Sequence, residues 1–266
     1  IGISICYSRA ELDDALELAM KNSVSNTVVV EEYLTGTELT AIYTIVDGRI
    51  SLSIINDKYL SQEGKKYACL CDLAITPSKY YNLYLETVDA QVKELLKDIG
   101  VENGVAGFQF IATGEKIVAF EMGLRLNGGN DWKLLNVCNG INYMKMLINY
   151  SLTGSMGDSL DKDNPEFTEY MATYIMYAHG GVVGTVDYSG IKAHDGIIDI
   201  SPYVYVGKII PDNGTTQQRV FSFKIRKTKI EDISDTIHYI QENVHVVDEY
   251  GKSLLFLPFD TNRLKS

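Results

Sequence analysis

Between residues 105 and 130 the chain sets an amide, a carboxylate, a guanidinium and a second amide at Gln109, Glu121, Arg125 and Asn127. Gly128-Gly129-Asn130 follow directly. Oxygen donors of this kind suit a hard cation, because Mg2+ takes oxygen ligands, keeps several waters and is usually held by one or two carboxylates together with phosphate oxygens. A guanidinium adds a planar fork for a phosphate or a carboxylate. The Gly-Gly pair carries no side chain and accepts positive φ, which lets backbone come close to a ligand.

These groups act together only if the chain points them the same way. The stretch VAGFQFIATGEKIVAFEMGLRLNGG, residues 105–129, reads as a β-hairpin. Phe108 and Phe110 alternate with Gln109 and Ile111, Thr113-Gly114-Glu115 form a turn, and Val118 and Phe120 alternate with Ala119 and Glu121 on the return. Side chains two apart share a face. A loop with an odd number of residues therefore puts Gln109 and Glu121 on one face and the four large apolar residues on the other. A chain that stays extended carries Gly123 and Arg125 onto the polar face as well. Alternation alone is equally that of an ordinary half-buried hairpin with a polar outer side.

The order Gln109, Glu121, Arg125 resembles the metal-and-phosphate strand pair of the ATP-grasp superfamily, which includes biotin carboxylase, carbamoyl phosphate synthetase, and the D-alanine and L-amino-acid ligases. The pattern there is an acid or Gln, then Glu-x-Asn-x-Arg. Glu121 and Arg125 stand in register, Gln109 is similar to the Gln variant of carbamoyl phosphate synthetases, and Gly123 departs from the expected Asn. That departure removes one Mg2+ ligand, for which Asn127 is the candidate substitute. Upstream, Glu31-Glu32-Tyr33-Leu34-Thr35-Gly36-Thr37-Glu38 resembles the superfamily's hinge. The resemblance implies that backbone at Glu31, Glu32, Tyr33 and Leu34 meets the adenine edge, and that Glu38 takes the ribose hydroxyls. Lys58 is a candidate phosphate or substrate cation, and reads equally as a solvated lysine after a strand. Gly2-Ile3-Ser4 resembles the tail of a glycine-rich phosphate loop.

The elements around these residues indicate an α+β fold. Ser8 and Glu11 form a capping box ahead of a helix to residue 22, and Thr27–Leu34 reads as a strand. Residues 38–57 read as a hairpin turning at Asp47-Gly48, and 61–76 as polar and irregular. One long helix is expected from Thr76-Pro77-Ser78 to Gly100, one or two over 131–153, and a linker over 154–166. Beyond it, strands fit 170–178, 197–208, 218–226, 245–248 and 254–256, with a helix capped by Thr228 and Glu231. The resemblance implies an ATP-grasp large lobe, an antiparallel sheet with helices, plus a small α+β C-terminal domain similar to that of L-amino-acid ligases. The corresponding divisions are a lid remnant and hinge at 1–34, the large lobe at 35–154 and the C-terminal domain at 155–266.

A chain of 266 residues with 45% hydrophobic and 22% charged residues has an ordinary globular composition. The net charge of −11 speaks against a nucleic-acid partner, whose binding depends on neutralising phosphates, and no apolar run is long enough for a membrane span. Cys6, Cys69, Cys71 and Cys138 lack zinc-site spacing and read as reduced and structural, as in a cytoplasmic protein. The four histidines show no ligand spacing; His179, beside Gly180-Gly181, is the one worth testing. The resemblance implies ATP and Mg2+ as cofactors, small-molecule carboxylate and amine partners, and allows a homodimer. It implies a carboxylate–amine or carboxylate–thiol ligase working through an acyl phosphate, with Arg125 catalytic and Gln109, Glu121 and Asn127 on the metal. The alternatives are a carbamoyl-phosphate-synthetase-like or biotin-carboxylase-like carboxylation, and a non-catalytic nucleotide-binding domain. The superfamily's two lid lysines and its N-terminal domain are expected upstream of Ile1, so the 266 residues are expected to be inactive alone.

Overall fold

Asp47 and Gly48 both take positive φ, 48° and 76°, the backbone of a two-residue hairpin turn. From that turn β1 (Thr37–Val46) and β2 (Arg49–Leu60) run antiparallel, with Glu38 opposite Lys58. The computed structural model describes residues 3–191 and 194–265, so Gly2 of the expected phosphate loop lies outside the described residues.

The chain divides into two compact units, Ile1–Gly36 and Thr37–Ser266. The first carries α1 (Arg9–Asn22). Its N-cap Ser8 accepts from the Glu11 amide, and the Glu11 carboxylate accepts from the Tyr7 amide at 2.7 Å. Residues 27–34, expected as a strand, join no ladder among the described residues. Their β-branched side chains favour extended chain, but a strand also needs a neighbour for its amides and carbonyls.

The second unit continues with β3 (Cys71–Thr76), α2 (Tyr81–Thr87), α3 (Asp89–Asp98), β4 (Gly104–Ala112), β5 (Ile117–Gly123), α4 (Trp132–Cys138) and α5 (Tyr143–Thr153). Then come β6 (Tyr170–Tyr177), β7 (Gly181–Asp187), β8 (Ile197–Pro202), β9 (Ile209–Ile210), β10 (Arg219–Lys227), α6 (Ile230–Asn243) and β11 (His245–Asp248). Eight strands form one sheet in the order β5-β4-β1-β2-β3-β6-β10-β8, and β11-β7-β9 form a smaller one. Every pairing of these strands is antiparallel.

Several expectations are corrected. Residues 71–76 are a strand rather than irregular chain: Leu73 and Ile75 are buried, and β3 pairs with β2 and β6. Two apolar residues are too weak a period to read, yet they suffice once flanked by paired strands. The helix expected over 76–100 is two helices, broken at Val88 where φ is −124°. The strand expected over 197–208 stops at Pro202, and residues 254–256 make only an isolated bridge at Leu255. Lys229, not Thr228, is the N-cap of α6, and no side chain caps it. Position 154 falls in a loop, but the large sheet runs on past it because β3 pairs with β6.

Two apolar clusters fix the sheet. Leu39, Tyr43, Phe108 and Phe110 pack against Tyr84 of α2 and Val92 and Leu96 of α3. Phe221, Phe223 and Ile225 pack with Ile233, Ile237 and Ile240 of α6. Each such side chain taken wholly out of water contributes about 1.5–3 kcal/mol.

One carboxyl in this frame titrates far from its ordinary range. Burial pushes Asp72 of β3 up to about 7, against the pull of the Ser61 hydroxyl. The folded chain then holds a proton that the unfolded chain releases near 3.8. Stability from this group therefore falls as pH rises through that window and is lowest above it. Asp72→Asn is expected to raise Tm by about 2–4 °C at pH 8 and to leave it unchanged near pH 4 in thermal unfolding. Equal shifts at both pH values would contradict this.

Candidate active site

The hairpin of β4 and β5 brings Gln109 and Glu121 directly opposite each other. The loop between Ala112 and Ile117 holds an even number of residues, which by itself would have put Glu121 on the apolar face. A bulge between the Gln109 and Phe110 pairings adds one residue to β5 and restores the parity. On the loop side of the bulge the even loop still sets the pairing, so Ala119 rather than Phe120 lies opposite Phe110, and Val118 lies opposite Ile111. Phe108 and Phe110 are buried as expected, whereas Val118 and Phe120 on the edge strand are exposed.

Around this pair the large sheet floors a cleft of about 310 Å3, and all of its lining residues belong to the second unit. Thr40 of β1 is opposite both Asn56 of β2 and Gln109 of β4, so four strands contribute one polar row ending at Glu121. Lys58 donates to Gln109 Oε1 at 2.5 Å and lies 3.6 Å from Glu38 Oε2. Glu38 thus meets the cleft through Lys58, and Lys58 is not a solvated lysine. Arg125 Nη2 lies 3.9 Å from Glu121 Oε1, and its Nη1 donates to the Leu126 carbonyl at 3.0 Å. The Arg125 side chain covers Gly123: a Cβ there would meet Arg125 Cγ and Nε at 3.5 Å.

Asn127 lines the same cleft, but both ends of its amide are engaged, Nδ2 by Asp131 and Oδ1 by the Tyr143 hydroxyl at 3.1 Å. Gly128 and Gly129, which could accept positive φ, do not take it; the next residue, Asn130, does, at 57°, a residue type that tolerates the left-handed region. The glycine at 129 serves close approach: a Cβ there would come within 3.2 Å of Asp131 Oδ1.

Several residues of the site carry no signal in the sequence. Lys224 of β10 is buried and donates to the Gly129 carbonyl and, at 2.6 Å, to Thr173 Oγ1, with Asp131 Oδ1 at 3.5 Å. Burial holds its ammonium below the usual lysine range, although Asp131 pulls the other way. Arg219 at the start of β10 donates to the Gly128 carbonyl at 3.1 Å. Burial pushes the Cys71 thiol up to about 11, so it lines the cleft as a neutral group. Lys58, Arg125 and Arg219 line the cleft together with Glu121 and Asp131, so its lining carries one more cation than anions within an acidic chain. His179 pairs with Glu63 at 3.0 Å and does not line it. Glu31, Glu32, Tyr33 and Leu34 lie in the first unit, the first three of them exposed.

Glu121 is the one carboxylate of the β4–β5 hairpin that could hold a hard cation, and would do so together with water and phosphate oxygens. Among the described residues no group of three or more His, Cys, Asp or Glu is placed to hold a metal ion, at Glu121 or elsewhere. Among the described residues no helix is long and apolar enough to cross a membrane.

No family model matches the chain, and no curated protein does. Solved structures do share its fold. Biotin carboxylase from Campylobacter jejuni, in a β,γ-ATP complex, aligns over 100% of this chain and 58% of its own, with 12% identity and a TM-score of 0.75. An L-amino acid ligase from Bacillus licheniformis aligns over 91% of this chain and 61% of its own, with 16% identity and a TM-score of 0.73. A phosphoribosylglycinamide synthetase from Anaerococcus prevotii aligns over 91% of this chain and 61% of its own, with 14% identity and a TM-score of 0.72. The chain therefore spans 58–61% of the length of these three structures.

Proposed function

We propose that this chain, whose fold is that of the ATP-grasp superfamily, binds Mg2+-ATP in the cleft above β4 and β5 and serves an ATP-dependent carboxylate ligase. The observation that carries the reading is the convergence of Glu121, Gln109, Lys58 and Arg125 on one face of four adjoining strands.

The reaction is activation of a carboxylate followed by its capture. A carboxylate oxygen attacks the γ-phosphorus, the bond to the β-phosphate oxygen breaks, and ADP leaves. An amine or thiol then attacks the acyl carbon, and inorganic phosphate leaves. Such transfer needs chiefly positioning and neutralisation of charge. Mg2+ bound at Glu121 would supply Lewis-acid stabilisation of the phosphate oxygens. Lys58, oriented by Glu38 and Gln109, carries a fixed ammonium into the cleft. Arg125 carries a guanidinium that can follow charge onto the transferred phosphoryl group. Arg125 lies over Gly123 with its Nη2 at 3.9 Å from Glu121, so the cation and the candidate metal ligand are neighbours.

A second reading rests on Gly123 and on the engagement of Gln109 by Lys58: fewer metal ligands suit a domain that binds nucleotide without turnover. Incubation of the full-length protein that carries this chain with Mg2+-ATP, pools of small carboxylic acids and hydroxylamine separates the two. The ligase reading expects acid-dependent ADP, phosphate and hydroxamate in equal amounts. Nucleotide binding with no acid-dependent ADP, or cleavage to AMP and pyrophosphate, would overturn it.

A further inference from the structure

Three enclosed polar atoms in the cleft wall have no hydrogen-bond partner among the described residues: Thr40 Oγ1, Asn56 Oδ1 and Arg219 Nε. Buried polar groups are ordinarily paired, and a charged one left unpaired is the most costly. An unpaired group facing a cleft therefore marks where a ligand atom belongs. Thr40 and Asn56 continue the row of Gln109 and Glu121 and belong with the site already described.

Arg219 stands apart. It opens β10, opposite Tyr177 of β6, and belongs to no part of the Gln-Glu-Arg pattern. Its guanidinium is held by the Gly128 carbonyl at 3.1 Å, over the Tyr203 ring at 5.2 Å and by the Tyr177 hydroxyl, which accepts from it. The same hydroxyl donates to the Cys71 carbonyl at 3.3 Å. The group is thus oriented before any ligand arrives, with its Nε–H still to be paired. The neighbouring cations are already engaged: Lys58 by Gln109 and Glu38, and Lys224 by Gly129, Thr173 and Asp131. Arg125 and Arg219 donate to carbonyls two residues apart in one loop, at Leu126 and Gly128, so the loop positions both guanidinium groups on the cleft lining.

We propose that Arg219 is the anchor for a carboxylate of the acid substrate, a subsite separate from the positions taken by the nucleotide phosphates. The inference rests on the ligase reading above. An Nε–H and an adjacent Nη–H match the two oxygens of a carboxylate, a geometry that a lysine does not reproduce.

The test uses the full chain labelled with 15N at arginine and, in a second sample, at backbone amides. Sodium acetate is the carboxylate probe and inorganic phosphate the competing one. The Nε–H resonance missing from the Arg219→Lys spectrum is expected to shift saturably with acetate in the unaltered protein, together with the Gly128 amide. In Arg219→Lys and Arg219→Gln the Gly128 amide is expected to respond to acetate at least about tenfold more weakly, a larger change than the fall in Mg2+-ADP affinity that loosening the 127–129 loop brings. Absence of a saturable Arg219 response to acetate, or a response to phosphate alone, would overturn the proposal. If Mg2+-ADP fails to bind the unaltered protein, the nucleotide reading fails, and the acetate titration still reports on Arg219 independently.

Discussion

Calorimetric titration of Glu121→Gln with Mg2+-ADP is expected to show affinity lowered by about a hundredfold or more, with affinity for metal-free ADP nearly unchanged. The substitution keeps size and shape and removes one negative charge, so the loss falls on the metal-bound form. Glu121 is half-exposed on an edge strand, and a surface change of this kind alters stability by only about 0.5 kcal/mol. Glu121 also holds Arg125 at 3.9 Å, but an exposed pair of that length contributes little by itself. The effect is therefore expected to follow Mg2+ rather than folding. Equal losses with and without Mg2+ would assign Glu121 a structural role instead.

Lys224→Met is expected to be the most destabilising single change in the site. The ammonium bridges the Gly129 carbonyl, Thr173 and Asp131 where almost no water reaches. Methionine fills much of the same volume but leaves Asp131, itself buried, with Asn127 as its remaining side-chain partner. Breaking a buried pair by removing one member costs about 3–5 kcal/mol, which for a chain of this size lowers Tm by roughly 10 °C. Because the same contacts hold the 127–129 loop against β10, Mg2+-ADP affinity is expected to fall with it, even below the melting transition. An unchanged melting temperature would mean that the loop is held by other means.

Gln109, Glu121 and Arg125 were legible because strand periodicity is two and their chemistry is distinct. The face they share, however, depends on a bulge that the sequence does not announce. The even loop and the inserted residue cancel for Glu121 but not for Val118 and Phe120, which is why the expected apolar back is only half present. The Asp47-Gly48 turn was legible because two positive φ values need those residue types. Lys224 and Arg219 were not: a basic residue in a strand reads as solvent-facing, and Lys224 meets its partner carbonyl 95 residues away in the chain. The segment 27–34 failed for the opposite reason, since strong local preference supplied no pairing neighbour. Lys58 lay between these cases, its role decided by Glu38 directly across the hairpin.

The most direct test of the central claim is a crystal structure of the protein with Mg2+ and a non-hydrolysable ATP analogue. The account predicts a metal at about 2.1 Å from a Glu121 carboxylate oxygen, with phosphate oxygens within hydrogen-bonding reach of Lys58 and Arg125. A nucleotide bound elsewhere, or phosphates in this cleft with no metal at Glu121, would contradict it.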